Sequence, residues 1–230
     1  MCFSPYAETM KFPRAESIAT KLEEAILRGD YRDGEKLDEI RLAKEFKVSR
    51  TPIREAFQKL GSFGLIEQIP NRGAYVCQPG PIELVELFEL MGELEASCAR
   101  LAALRISDSA IDELVVANKA CQLAVENSDT NDYYDHNEIF HLKIYDQSGN
   151  RVLQAETLRL HQRLRPYRRL QLQARGRLAQ SMAEHKAIVE ALTAGDSDKA
   201  STLMRDHVAV QGEKFNNLLR LTPEKILVGR

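Results

Sequence analysis

The sequence predicts a mainly α protein in two parts: a helix-turn-helix closed by a short β-hairpin, then an all-α antiparallel helical bundle. Three observations predict it. Two amphipathic helix patterns meet at a tight turn just before "SRTPIREAF". A Pro-Asn-Arg-Gly turn separates two short strand-like runs between Leu65 and Cys77. After Pro79-Gly80-Pro81, apolar residues recur at helical spacing almost without interruption.

Bulk properties set the frame for these elements. The 230 residues somewhat exceed one average domain, and 43% hydrophobic content is enough for real cores. Residues 1–14 lack the apolar core of a signal peptide and read as a loose arm. Residues 15–78 form the expected first domain, 79–82 a linker and 83–222 the second domain. No run approaches the ~20 apolar residues of a membrane span, so a cytoplasmic protein without a membrane partner is expected. Cys2, Cys77, Cys98 and Cys121 are scattered, with no C-x-x-C pair. That pattern speaks against a disulfide framework or a thiolate zinc site and suggests buried free thiols.

In the first part, "DEIRLAKEFKV" reads as a short helix capped by Asp38, with Ile40, Leu42, Ala43 and Phe46 inside. The next helix starts at Ser49, whose hydroxyl can accept an orphan amide, and carries Pro52 in its first turn, where a missing N–H costs little. Ile53, Ala56, Phe57 and Leu60 share one face, leaving Arg50, Thr51 and Arg54 on the other. Between Arg41 and Arg54 the charges are Arg41, Lys44, Lys47, Arg50 and Arg54 against Glu45 alone, although the whole chain is net -2. Positive charge is therefore placed, and a second helix with arginines at its N-terminal end is the geometry that reaches base edges in a major groove. The hairpin that follows, with strands at Leu65–Ile69 and Ala74–Cys77, is a wing with Arg72 and Gly73 at its tip. There an arginine can clamp a phosphate or enter a minor groove, and glycine lets the backbone come close.

The stretch "GEKLDEIRLAKEFKVSRTPIREAFQKLGSFGLIEQIPNRGAYV" resembles the winged helix-turn-helix domain of the GntR family of bacterial transcription regulators. The resemblance implies that Arg50, Thr51 and Arg54 contact the bases and phosphates of a double-stranded DNA operator. It also implies that Ser49 fixes the helix start and that Arg72 and Gly73 act from the wing.

In the second part, helices are expected at about 81–105, 108–127 capped by Ser107, 130–148, 151–173 with Pro166 inside, 178–194 and 197–220. The stripe Leu84, Leu87, Phe88, Met91, Leu94, Cys98, Leu101 and Ala102 is core packing. Histidine placement is more informative. Asn137 and His141 lie four residues apart on one helix face. His185 and His207 are each 11 residues from Asp196, which falls on the "GDSD" break between two helices. Residues equidistant from the turn of an antiparallel hairpin lie side by side, so these two imidazoles should meet. Three imidazoles and an amide oxygen from bundle helices suit a divalent metal with open positions, zinc first, nickel or manganese also. His136 and His161 lack such partners and read as surface or helix-edge residues.

"NEIFHLKIYDQSGN" and "SMAEHKAIVEALTAGDSDKASTLMRDHV" resemble the FCD ligand-binding domain of the FadR branch of the same family. That resemblance implies a homodimer and a metal held by Asn137, His141, His185 and His207, on which a small organic acid binds through its carboxylate. Many relatives carry an arginine four residues before the glutamate of an L-E pair, where this chain has Met91 before Glu95. The substitute is sought in Arg159, Arg163, Arg165, Arg168, Arg169, Arg175 and Arg177, most of which must be solvated. With Leu153, Leu160 and Leu164 inward, Arg168 lies one turn beyond Leu164 on the same side and is the candidate for an effector carboxylate, while Arg159 and Arg163 face out.

The expected function is a homodimeric transcription regulator, a repressor by analogy, that reads a near-palindromic operator under control of a small carboxylate effector. The alternative is a regulator in which the divalent ion itself is the signal. A metal-dependent hydrolase with Glu138 or Glu184 as base leaves the DNA-reading head unexplained, so no enzyme is expected.

Overall fold

The computed structural model describes residues 14–221 except 173 and 175, with side chains described from residue 15 to residue 209. The expected arm lies outside the described residues, apart from Arg14, which opens the first helix. The chain divides into two compact units, with the break between Gln78 and Pro79.

The first unit runs α1 (Arg14–Leu27), β1 (Lys36–Leu37), α2 (Glu39–Glu45), α3 (Arg50–Ser62), β2 (Ile66–Ile69) and β3 (Gly73–Val76). Its core is built where the apolar faces of α1 and α3 meet: Leu22 and Ile26 from one, Ile53, Ala56, Phe57 and Leu60 from the other. Burying side chains of this size is worth about 1.5–3 kcal/mol each. The hairpin extends to a third strand, since β1 pairs with β3 to give the antiparallel order β1-β3-β2, with Leu37 opposite Ala74 and Ile66 opposite Val76. A two-residue strand such as β1 has no alternating pattern long enough to read in advance.

Asp38 caps α2 through both Ile40 and Arg41 amides. Ile40 is 56% exposed, a correction to its expected place inside, and Phe46 is only half-buried. Leu42 and Ala43 carry the buried face, and a helix of two turns has room for no more. The α2–α3 turn closes through Val48 N–H donating to the Ala43 carbonyl at 3.0 Å, with Lys47 at φ 54. Ser49 stands at the N-cap of α3 with extended backbone, yet its hydroxyl accepts no capping hydrogen bond. An exposed helix start leaves those amides open to solvent. The wing turn uses Asn71 at φ 60 and Gly73 at φ 111, a region that favours glycine. A Cβ on Gly73 would also lie 3.1 Å from Lys36 Cε.

Among the described residues the second unit runs α4 (Pro81–Ala103), α5 (Asp108–Glu126), α6 (Thr130–Gln147), α7 (Arg151–Gln171), α8 (Arg177–Thr193) and α9 (Ser197–Leu221), all of them helices. Their starts are written in the sequence: the side chains of Ser107, Asp129 and Asn150 each accept first-turn amides. α7 runs through Pro166 as one helix. Helix α4 packs along α9 and also meets α6 and α7, so it is the hub of the bundle. From its expected stripe, Leu84, Phe88, Met91, Cys98 and Ala102 are buried, whereas Leu87, Leu94 and Leu101 are half-buried. Cys98 and Cys121 are buried free thiols, but Cys77 is exposed at the end of the wing and Cys2 lies outside the described residues.

Candidate functional site

Two sites emerge, one in each unit. On the first unit, Arg50 opens α3 and Arg54 follows one turn later, with side chains 55% and 61% exposed. Ser49, Thr51, Arg72 and Gly73 are exposed as well, and so are Arg41, Lys44 and Lys47 around the turn. Both α3 arginines direct Nε to one oxygen of Glu39, at 2.7 and 2.9 Å. The Glu39 carboxyl is held below its usual range, first by the hydrogen bond from Arg50. At the wing, the Tyr75 hydroxyl donates to the Arg72 carbonyl at 3.3 Å, and exposed Lys36 lies 6.0 Å from the Tyr75 ring centre. Glu39 and Lys36 were not singled out from sequence. An acid beside a basic cluster and a lysine in a very short strand carry no pattern of their own.

In the second unit, His141 from α6, His185 from α8 and His207 from α9 come together, with one ligating atom from each within 4.8 Å of the others and all three rings buried. The α8–α9 hairpin turns at Gly195, φ 66, and the Asp196 amide donates back to the Ala191 carbonyl. The rings equidistant from that turn, His185 and His207, have centres 4.9 Å apart. Asn137 is 5% exposed, one turn before His141 on α6.

Two carboxylates orient this cluster. His141 Nδ1 donates to Glu95 Oε2 at 2.6 Å, and Glu95 Oε1 accepts from Arg168 Nη1 at 2.5 Å. His207 Nδ1 donates to Glu184 Oε2 at 2.6 Å, and the same oxygen accepts from Arg177 Nη1 at 2.8 Å. Arg177 Nη2 also approaches His207 Nδ1 at 3.4 Å. One nitrogen cannot donate to a carboxylate and accept from a guanidinium together, and the 2.6 Å contact is the stronger. With Nδ1 protonated on both rings, His141 Nε2 and His207 Nε2 each present a lone pair to the other across 3.3 Å. Two lone pairs repel unless a cation lies between them, and tetrahedral ligation at ~2.0–2.1 Å separates two nitrogens by about 3.3–3.4 Å. Both nitrogens of His185, stacked on Phe140 with centres 4.1 Å apart, are buried without a hydrogen-bond partner. The donor set fits a divalent ion, with carboxylates backing imidazoles as metal sites require.

Burial drives the protonation states. It lowers His141 and His207 to about 4 each and His185 well below the ordinary imidazole value, so all three are neutral, the form that ligates, at neutral pH. Burial pushes Glu95 up, but His141 and the permanent cation Arg168 outweigh it and keep that carboxylate ionised.

Arg168 faces inward as expected, 3% exposed, with Nη2 buried and unpartnered. Arg159 and Arg163 face out. Arg175 lies outside the described residues. His161 corrects the sequence expectation: it is 1% exposed, and its Nδ1 lies 3.0 Å from the Tyr145 hydroxyl. It shares the inward face of α7 with Leu164 and Arg168, three and seven residues on, a spacing that contained the signal. His136 is on the helix edge as expected. Glu95, Glu184 in its orienting role, and fully buried Arg177 were missed. Glu95 had a signal, since it continues the buried stripe Leu84, Phe88, Met91 and Cys98, where an acid has no reason to sit without partners.

A helix-turn-helix with a three-stranded wing, followed by an all-helical unit, is the architecture of a DNA-binding transcription regulator with a separate helical domain. Residues 14–76 match the family model described as "Bacterial regulatory proteins, gntR family", and residues 86–210, more than half the chain, match the FCD domain. The chain belongs to the GntR family of bacterial transcription regulators, in its FCD-containing branch. The Nta operon transcriptional regulator of Aminobacter aminovorans is 28% identical over 194 residues, 83% of this chain and 89% of that one. LutR of Bacillus subtilis is 28% identical over 205 residues, covering 80% and 92%. Solved structures share the fold: McbR/YncC of E. coli (TM-score 0.64, 23% identity, 93% of this chain and 100% of that) and Lar of Listeria monocytogenes (0.69, 19%, 95% and 100%). Family and relatives are transcriptional regulators, not enzymes. No described helix is long and apolar enough to cross a membrane.

Proposed function

We propose that this chain is a homodimeric repressor whose hold on a near-palindromic operator is set by a small carboxylate bound at a metal centre in the helical unit. Asn137, His141, His185 and His207 hold the ion, and Arg168 meets the effector. Ser49, Arg50, Thr51, Arg54, Arg72 and Gly73 make the operator contacts. The observation that carries the metal reading is the pair of facing Nε2 lone pairs beside a histidine with two buried, unpartnered nitrogens. Zinc, nickel and manganese all suit imidazole-rich ligation. When bound, the ion supplies a Lewis-acidic point on which a carboxylate can rest. The chain's own residues do the remaining work: Glu95 and Glu184 fix ring orientation and tautomer, and buried Arg168 retains one spare donor edge. A metabolite that binds one arrangement of the bundle better than another shifts the population of DNA-competent dimers by that difference in affinity.

The test is elemental analysis of the purified protein, followed by thermal melting with zinc, nickel or manganese, each with and without a panel of small carboxylates. A metal-dependent rise in melting temperature, increased further by one acid, is expected. His141→Ala and His185→Ala should abolish both increments while leaving DNA binding measurable. Equal melting curves for wild type and both variants in every metal would refute the metal centre. Metal alone altering operator binding, with no acid adding to it, would make the ion the signal.

A further inference from the structure

Arg50 and Arg54 approach the same atom, Glu39 Oε1, and each does so through Nε. Glu39 is the first residue of α2, so its carboxylate bridges the two helices of the reading head across their turn. Its side chain is 22% exposed, against 55% and 61% for the arginines. A guanidinium engaged through Nε leaves its end-on edge, one N–H from each Nη group, free of the carboxylate. Those paired Nη groups are the edge that fits guanine O6 and N7, or a phosphate, bidentately. Without a shared anchor the two cations, one helical turn apart, would repel and sample many rotamers, and would have to surrender that freedom on docking.

The anchor also carries charge. A duplex of the wrong sequence offers the arginines little besides phosphate, and a carboxylate fixed between them opposes that encounter. The right base edges offer hydrogen bonds that do not depend on net charge alone. We propose that Glu39 is a specificity-determining positioning residue, which aims Arg50 and Arg54 at base edges and penalises engagement of phosphate by itself. The inference rests on the assignment of Arg50 and Arg54 to the DNA interface.

The test uses the full-length chain. A preferred duplex is first selected from a randomised library with the wild-type protein. Dissociation constants for that duplex and for a random-sequence duplex of equal length are then measured across a potassium chloride series. Glu39→Gln keeps the shape and removes the charge. It should tighten the random duplex about 3–10-fold at low salt, as one repulsive charge is lost, and lower the specificity ratio at least ~10-fold, the scale of one bidentate base contact. Glu39→Asp keeps the charge but loses the reach to both arginines. It should lower the ratio by weakening the selected duplex without tightening the random one. A ratio within about twofold of wild type in both variants, or equal tightening on both duplexes by Glu39→Gln, overturns the proposal. Arg50→Ala and Arg54→Ala separate the two levels. If they leave the selected duplex bound as before, the DNA-reading assignment itself fails. If they weaken it while the Glu39 variants keep the ratio, only the role of Glu39 falls.

Discussion

Glu95 is wholly buried and touches two partners of different kinds, the imidazole of His141 and the guanidinium of Arg168. Glu95→Gln leaves Arg168 buried without a counter-charge, which costs roughly 3–5 kcal/mol, measurable by urea unfolding of the metal-free protein. Glu184→Gln acts on a carboxylate that is 21% exposed, so its stability cost is smaller. Its expected effect is on metal affinity, a loss of about 10–100-fold once the Nδ1 proton of His207 is less firmly held. Competition with a chromophoric chelator reads that loss, and unchanged affinity would show that Glu184 does not orient the ring. At this scale the residues proposed to read the operator follow the usual arithmetic: Arg50→Ala or Arg54→Ala should weaken operator binding roughly 10-fold or more with folding intact, read by fluorescence anisotropy.

Elements show why some of this was legible in advance and some was not. Caps are local chemistry, so the starts of α2 and α5 could be placed from Asp38 and Ser107, and the structure adds Asp129 and Asn150 as the caps of α6 and α7. Burial of Ile40 could not be placed, because a helix of two turns has no second repeat to fix its phase. Ser49 has the right identity and position for a cap but makes no side-chain bond, whereas Asp38 makes two. Asp38→Ala should thus lower the denaturant midpoint clearly, while Ser49→Ala should lower it little. Denaturant midpoints of the two variants decide between them, and equal losses would contradict the geometry. The histidine pairing was legible because hairpin symmetry is a counting rule. The carboxylates behind it were not, since Glu95 meets His141 across 46 residues of chain and spacing along one helix is silent about such partners.

For the molecule as a whole, the buried histidines link stability to acid. His141 and His207 titrate at about 4 when folded, below the ordinary ~6.5 of the unfolded chain. The unfolded state then binds more protons, so their contribution is fully present above ~6.5 and is lost as pH falls from there toward 4. Between pH 7.5 and 5.5 each should subtract about 1.4 kcal/mol from the metal-free protein, and His185, also lowered by burial, acts in the same direction. Urea titrations at the two pH values test this, and a flat response would mean the rings are not neutral and buried together. His141→Ala should flatten the slope by one proton.

The count of residues from His185 to His207 behaves as a ruler folded at Asp196. Loss or gain of a single residue along either helical arm between an imidazole and that fold would swing it by ~100° and slide it ~1.5 Å, while the bundle's apolar contacts could still re-form nearby. Descendants of this chain can drift widely in surface composition, yet an insertion there that falls short of whole helical turns would part the two imidazoles within an otherwise well-folded bundle.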